Sequence, residues 1–545
     1  MEDSGPGRNG ESADGRGGFY RRFAIGPPLV IQDGMDQSVA RGKAVVIGSG
    51  FGGLAAAIRT QAKGYEVTLL EMRDKPGGRA YVYEDQGFVY DAGPTIITVP
   101  FILEELAAAA GKNIADYVRI VPCDPFYRIY FHDGSVFDYR GEQEKLEAEI
   151  AKFNPADVEG YRRFRDYSER VFDRAFTDLA GHSFDRFIEM VKVAPDLLRL
   201  RAEQSVFRRV SSFIRDHRLR QVFSFEPLLI GGNPLRSSAI YSMIHYLEKT
   251  WGVHFAMGGT GALVQGLVRL FEDIGGRVEL NARAEEIRVE DGRVAGVRLA
   301  DGRDFPAEIV VSNGDVANTY RKLVHPRHRR KWTDRRLERM QYAMSLFVVY
   351  FGTDRTYEHL PHHSIILGPR YEGLLKDIFD RKTVAEDFSL YLHAPTRTDP
   401  SLAPPGCESF YVLSPVPNLR GGQDWDAIKE DYADRILASM ERDHLVPDLR
   451  KHLRSKLIFT PKDFETELDA FAGSAFQFEP TLTQSAWFRP HNKSEDVGNL
   501  YFVGAGTHPG AGLPGVISSA TVLDHFIEPR ESARDRGAVR EPAPA

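Results

Sequence analysis

The sequence predicts an α/β protein whose first strand–helix–strand unit is completed only by its last segment, with a second, mixed-sheet region inserted between. Three stretches carry that reading. Residues 43–57, KAVVIGSGFGGLAAA, read as a buried strand, a glycine turn and a helix start. Residues 258–314 read as a helix, a strand and a β-meander. Residues 499–516, NLYFVGAGTHPGAGLPGV, bring a second strand and a second glycine-rich loop more than four hundred residues after the first. At 545 residues the chain exceeds what one core holds, since single cores stop growing at about 250–300 residues.

In the first stretch, Ala44 to Ile47 form the strand, and Gly48, Gly50 and Gly53 spell G-x-G-x-x-G around Phe51 and Gly52. The first glycine permits the turn, the second lets backbone approach a pyrophosphate, and the third brings the helix close to the strand. The pyrophosphate then meets the free N–H groups of the helix N-terminus. Val67 to Leu70 give a second strand that ends in Glu71, 23 positions after Gly48. A carboxylate there is placed for a ribose 2′-hydroxyl and disfavours a 2′-phosphate. Strand, glycines, small-residue helix, second strand and terminal acid together make a Rossmann-type dinucleotide unit.

Two further turns decide between dinucleotides. Gly77-Gly78-Arg79 offers a close backbone approach and a guanidinium, and Asp91-Ala92-Gly93-Pro94-Thr95 is a backbone-rich turn after GFVYDA. A nicotinamide site needs neither; FAD, longer and anchored at both ends, uses both. In residues 258–314, Leu263, Leu267, Leu270 and Phe271 have helical spacing, and Asp291-Gly292 and Asp301-Gly302 punctuate the strands as hairpin turns. Backbone near Ala284 is placed for an adenine edge.

Composition excludes other classes. The formal charge is −7, with 42% hydrophobic and 27% charged residues, so nothing points to nucleic acid. The two cysteines, Cys123 and Cys407, lie far apart in sequence, which argues against a disulfide scaffold or a cysteine-ligated zinc site and fits a reducing compartment. The sixteen histidines show no ligand spacing, and His362-His363 are neighbours that point apart on a regular strand or helix, so no metal site is expected. No apolar run reaches the about 18 residues a membrane span needs. Residues 1–18 lack the apolar segment of a signal peptide, and residues 1–40 and 529–545 are expected to be disordered.

Between the nucleotide segments, residues 121–140, 340–352 and 409–417 read as strands rich in β-branched and aromatic residues, and 143–223 as helices. Along SFDRFIEMVKVAPDLLRLRAEQSVF, Phe184, Phe187, Ile188 and Val191 share one face, the pattern of an interfacial helix and equally of a core-facing one. The aromatic stretch Trp251 to Phe255 suits either a tunnel wall or a core. No catalytic acid or base stands out; Glu189, on the amphipathic helix, is the one candidate.

The order GxGxxG, distal Glu, GGR, DAGPT and a C-terminal glycine-rich strand–loop–helix resembles the flavin-dependent amine-oxidase-like superfamily. Within it, NLYFVGAGTHPGAGLPGVISSA, EMRDKPGGRAYVYEDQGF, GGTGALVQGL and EDFSLYLHAPTRTDPSLAPPGC resemble the bacterial-type phytoene desaturases of the carotenoid oxidoreductase family, over about residues 42–528. The resemblance implies FAD as cofactor and 15-cis-phytoene as substrate, desaturated stepwise toward neurosporene or lycopene by hydride transfer. It also implies oxygen or a quinone as electron acceptor and peripheral attachment to the cytoplasmic face of the cell membrane. Alternatives are a desaturase of a C30 or hydroxylated C40 carotenoid and a non-enzymatic prenyl-lipid binder. Neither the oligomeric state nor the number of desaturation steps is legible. The expected FAD-binding domain comprises 41–120, 255–318 and 490–528. The substrate domain comprises 121–142, 224–254 and 319–489, and 143–223 form a helical, membrane-facing subdomain. The cofactor contacts expected are Gly48, Gly50, Phe51, Gly52, Gly53, Glu71, Gly78, Arg79, Gly93, Pro94, Thr95 and Ala284. From the C-terminal loop come Gly504, Ala505, Gly506, Gly515 and Val516, with a helix starting near Pro514 whose positive end faces the flavin ring.

Overall fold

The computed structural model describes residues 42–443 and 445–530. The extension expected at 1–40 and the tail beyond 530 lie outside the described residues. Five short strands form an all-parallel sheet in the order Leu500–Phe502, Ile309–Ser312, Lys43–Ile47, Glu66–Leu70, Arg277–Glu279. The three strands at 43–47, 309–312 and 500–502 are buried almost throughout, as a sheet covered on both faces requires. Leu54, Ala55 and Ala56 of helix Phe51–Ala62, Leu263 and Leu267 of helix Gly259–Asp273, and Ile517 and Ala520 of helix Leu513–Val522 share the core on one face. On the other face Val45, Val310 and Leu500 pack with Ile287 and Val297 of a three-stranded antiparallel meander.

The strand order reverses at Lys43–Ile47. The chain first builds outward through Glu66–Leu70, then returns to place Ile309–Ser312 and Leu500–Phe502 on the opposite side. Ligands of open parallel sheets bind outside the strand C-termini at such a switch point. Here that point is the gap between Gly48 and Asn313, which follow their strands directly.

The meander hairpin turns at Asp291-Gly292, both with positive φ, as a two-residue hairpin loop demands. Its third strand, Asp304–Pro306, is too short to show a pattern in the sequence. The Asp91 carboxylate accepts hydrogen bonds from Thr260 N at 2.9 Å and Gly261 N at 3.2 Å, so the DAGPT turn caps the helix of GGTGALVQGL.

A mixed seven-stranded sheet stands apart, in the order Leu453–Phe459, Ser345–Thr353, Glu408–Val416, Leu390–His393, His363–Leu367, Tyr127–Phe131, Val136–Tyr139. Strand Ser345–Thr353 alternates between two cores. Phe347, Val349 and Phe351 pack under the helix Trp425–Arg442, while Val348 and Tyr350 face the opposite cluster with Ile365, Tyr391 and Tyr411.

The helices of 143–222 pack mostly on that second cluster. The last two residues of the amphipathic stretch open a separate short helix, Val206–Ser211, and its main helix spans Phe187–Arg199. Phe184 precedes it with φ 44°, is buried, and lies edge-on to His508 at 5.0 Å, so it does not share the exposed face that its spacing suggested. Trp251 and Phe255 are core residues, not cavity wall: Trp251 packs on Phe101 and Phe172, and Phe255 on His362.

Candidate cofactor and substrate site

One cavity of about 490 Å³ runs from the first glycine turn to the face of the seven-stranded sheet. Its polar end is built by backbone. Helix Phe51–Ala62 begins after Gly50 with no side-chain cap, which leaves its first N–H groups for a ligand. Glu71, buried at the end of its strand, accepts from Ser49 N and Arg73 N, both at 3.0 Å, and lines the cavity beside Gly48.

The second glycine turn meets the first across one side chain. Asn313 follows the strand between them, with its N–H on Ile47 O at 2.8 Å. A Cβ at Gly50 would sit 2.8 Å from Asn313 Nδ2, and a Cβ at Gly52 or Gly504 would sit 2.6 Å from Asn313 Oδ1. None of these positions tolerates a side chain while Asn313 stays in place. Gly504 also has φ +96°, and its N–H bonds Ser519 Oγ at 2.8 Å. Asn492 ties the loop down by donating to His508 O at 2.9 Å and to Phe502 O and Ser519 O at 3.3 Å. The C-terminal helix starts at Leu513, after Gly512 and with Pro514 in its first turn.

Of the expected contacts, Gly48, Gly50, Phe51, Glu71, Gly78, Arg79, Gly93, Pro94, Thr95, Ala284, Gly504, Ala505, Gly515 and Val516 line the cavity. Gly52, Gly53 and Gly506 do not. Gly52 faces Asn313 and the Gly504 backbone, Gly53 lies against Gly48 O, and Gly506 packs on Gln477 and Val316. All three are glycine for packing around the turns. Gly77, read as part of the Gly77-Gly78-Arg79 turn, lines the cavity as well. Ser49, Asn313, Asp315 and Gly512 also line it and were not read from the sequence as contacts; only Asn313, at the end of VVSN, stood at a strand terminus that could have marked it.

Arg79 reaches into the cavity with one 3.4 Å bond to Ser474 O, and its Nε has no partner among the described residues. Burial lowers its pKa while Asp315 opposes the shift. An unsatisfied buried guanidinium N–H, a helix start without a cap, and a cavity end lined by glycine backbone from two turns all fit an anionic dinucleotide with a second polar ring. The residues present therefore fit FAD.

The rest of the cavity is apolar, walled by Phe225, Leu228, Met243, Leu247, Val348 and Ile365 among others. Among the described residues, four carboxylates border the cavity as a whole, Glu71, Asp315, Asp469 and Glu248. Glu248 comes from the helix Met243–Trp251 that also supplies Met243, Ile244 and Leu247. Its Oε1 accepts from Tyr127 OH at 2.6 Å, and its buried Oε2 has no partner among the described residues. Burial, partly offset by that hydrogen bond, pushes its pKa up to about 8. Glu226, also buried, is held well above the usual range by burial and by Glu248. His245, beside Tyr139 in the same cluster, is kept neutral, its pKa pushed down to about 3 by burial. Glu189, the candidate from the sequence, does not line the cavity; its helix lies outside the wall. The helical spacing that singled out its helix carries no information about which side the cavity is on.

A second correction concerns metals. His362 precedes its strand and His363 begins it, so the two rings do not diverge as on a regular strand; their centroids lie 4.4 Å apart. Cys123, far from both in sequence, is folded against them, and ligand atoms of Cys123, His362 and His363 all lie within 4.8 Å of one another.

The chain matches the family described as flavin containing amine oxidoreductase over residues 51–521. It is 56% identical to phytoene desaturase (lycopene-forming) of Pseudescherichia vulneris over 88% of this chain and 97% of that one. It is 43% identical to phytoene desaturase (neurosporene-forming) of Rhodobacter capsulatus over 89% and 94%. Its fold is similar to that of an oxidoreductase from Methanosarcina mazei, with TM-score 0.59 at 17% identity, covering 89% of this chain and 100% of that one.

The packing around Asn313 makes a test. Gly504→Ala and Gly506→Val should weaken FAD binding by at least about tenfold, or about 1.4 kcal/mol, in a fluorescence titration. The added methyl group at position 504 would force Asn313 aside, and the isopropyl group at position 506 would displace Gln477. Unchanged affinity in both variants would contradict the packing described.

Proposed function

The chain belongs to the flavin containing amine oxidoreductase family and groups with its bacterial phytoene desaturases, and from that premise we propose how its residues desaturate a C40 polyene. It is an FAD-dependent oxidoreductase. The observation that carries the proposal is the continuity of the cavity, from the backbone cradle of two glycine turns to an apolar chamber bordered by Glu248.

We assign the pyrophosphate to the N-terminus of helix Phe51–Ala62, the ribose to Glu71 and the adenine to backbone at Ala284. The reactive ring falls to Arg79, Gly93–Thr95, Gly504–Ala505 and Gly515–Val516. Bound FAD would supply a hydride acceptor, so that one C–H bond of the polyene breaks and its hydrogen departs with the bonding electron pair. The substrate has no polar group to hold, and the apolar walls position it by shape. The carbon chain left behind is a delocalised cation whose neighbouring C–H is acidic. Glu248 Oε2, free of other partners among the described residues, takes that proton, and the C–H electron pair becomes the new double bond. Tyr127 steadies the carboxylate through Oε1. A base of pKa near the working pH combines the right protonation state with adequate driving force.

Attachment to a membrane is supported by helix Phe187–Arg199. Phe187, Ile188, Val191 and Leu198 are 54%, 47%, 49% and 65% exposed and share one face, with Arg186, Lys192 and Arg199 at its rim. Phe187 also lies 4.9 Å from Trp487, beside exposed Phe488. An apolar face of this kind left in water is costly; each such side chain is worth about 1.5–3 kcal/mol when fully buried. With its basic rim it suits an anionic bilayer surface. From there the apolar substrate can enter and electrons can pass to a membrane quinone or to oxygen. Among the described residues no helix is long and apolar enough to cross a membrane.

FAD-loaded protein mixed anaerobically with phytoene liposomes should lose its flavin absorbance and yield longer conjugated polyenes on chromatography. Flavin absorbance unchanged by phytoene would overturn the assignment.

Glu248→Gln should slow that bleaching by about 10²–10⁴-fold while flavin content stays normal, and should remove the rise in wild-type rate with pH through about 8. Stability should respond to the same titration. A carboxyl whose folded pKa is raised stabilises fully below its unfolded pKa and loses that contribution as pH rises through about 8. The melting temperature of Glu248→Gln relative to wild type should therefore climb over that window; a constant difference would contradict the raised pKa.

Replacing Phe187, Ile188, Val191 and Leu198 together by Ser should abolish sedimentation with anionic liposomes and leave flavin content intact. Full liposome binding by this variant would remove the helix from the membrane proposal.

A further inference from the structure

Behind the cavity wall lies a buried cluster that the desaturation chemistry does not use. Cys123 lies between the strands Ile120–Pro122 and Tyr127–Phe131, His362-His363 open the strand His363–Leu367, and His393 closes the strand Leu390–His393 directly opposite His363. All four are buried, with exposures of 4%, 6%, 0% and 0%. The His393 ring centroid lies 4.8 Å from that of His362 and 5.4 Å from that of His363.

The hydrogen bonds are one-sided. His362 Nδ1 is bonded with Thr398 Oγ1 at 2.6 Å, and His363 Nδ1 with Tyr391 OH at 2.7 Å. The Nε2 atoms of both rings, and both nitrogens of His393, have no partner among the described residues. A buried polar atom without a partner costs about 1–3 kcal/mol, and here four such atoms belong to three neighbouring rings, two of which stand with Cys123 in a group whose ligand atoms lie within 4.8 Å of one another. Burial holds all three imidazoles neutral, the form in which they ligate. Metal-bound histidines characteristically give one ring nitrogen to the ion and the other to an orienting group, which is the division seen at His362 and His363.

We propose that Cys123, His362 and His363 form a binding site for a zinc-type divalent ion, with His393 placed to close the tetrahedron. Cys123 Sγ and the two Nε2 atoms supply three ligands, and a turn of the His393 ring supplies the fourth. Binding replaces the thiol proton by the metal, which releases that proton to solvent; no electron changes hands. One thiolate and three neutral imidazoles suit zinc, whose structural sites are tetrahedral with sulfur and nitrogen ligands. The ion would tie the segment at residue 123 to the ends of two adjacent strands of the seven-stranded sheet. Tyr391 extends the link, because its hydroxyl lies 3.2 Å from Thr95 Oγ1 in the cavity wall. The site is thus a staple behind the substrate chamber and stands independently of the reaction proposed above.

The test uses FAD-loaded protein, stripped with a chelator, incubated with Zn(II) and desalted. Wild type should retain one zinc per chain, with extended X-ray absorption fine structure showing one sulfur at about 2.3 Å and nitrogens at about 2.0–2.1 Å. Its melting temperature should rise with zinc. Cys123→Ser and His363→Asn should lose the metal and the rise in melting temperature, while Cys407→Ser should keep both. Flavin content reports whether each variant has folded, and the sulfur shell in wild type decides the matter even if a variant does not. Wild type that retains no zinc, or zinc retained without a sulfur ligand, overturns the proposal.

Discussion

The structure turns on the place of one side chain, Asn313. It stands at the C-terminal end of the strand Ile309–Ser312, between the turn after Lys43–Ile47 and the turn after Leu500–Phe502. Gly50, Gly52 and Gly504 are glycine because Asn313 occupies the space a Cβ would need. The rest of the topology follows. The two turns must end the parallel strands that flank Ile309–Ser312 on either side, so the chain has to leave that sheet and return to it twice. What it builds while away, the seven-stranded sheet and the helices, hangs from that sheet and faces the same opening. The cavity runs from the switch point to the seven-stranded sheet, so a dinucleotide held as proposed would extend toward the chamber.

The chemical demands at the two ends of the cavity are opposite, and the residues are sorted accordingly. One end is lined by the backbone of the two glycine turns with Ser49, Glu71 and Arg79, the groups proposed to hold the cofactor. The other is largely apolar, and there the buried carboxylate of Glu248 keeps one oxygen without a partner among the described residues. The helical region joins the two ends physically. His508 in the glycine loop is bonded to Leu179 O at 3.2 Å and packed against Phe184, just before the helix proposed to meet the membrane. The glycine loop thus touches the segment that leads into that helix.

Much of this was legible because backbone constraints leave local marks. Gly48, Gly50 and Glu71 announce a nucleotide turn by spacing alone, and Asp291-Gly292 announces a hairpin. Gly504 and Pro514 mark a loop and a helix start in the same way. What was not legible was what lies across the fold. The motif itself assigns Gly53 to helix–strand packing, but nothing in the sequence says that Gly52 and Gly506 face protein instead of the cavity, since a glycine kept for a ligand and one kept for packing look alike. Glu248 reads as an ordinary acid near the end of a helix; only burial and the pairing with Tyr127 distinguish it. Glu189 drew attention through helical spacing, which identifies a face but not what the face sees. The cluster at Cys123 joins segments about 240 residues apart, so spacing rules for metal ligands could not reveal it.

The central claim is that both glycine turns grip one cofactor, the first at its pyrophosphate and the second at its reactive ring. A crystal structure of the FAD-loaded protein tests this most directly. The pyrophosphate should lie on the first N–H groups of helix Phe51–Ala62 and the ring between Gly93–Thr95 and Gly512–Val516, its open face toward Glu248. A ring bound outside the loop of residues 504–516, or a pyrophosphate away from Gly48–Phe51, would contradict it.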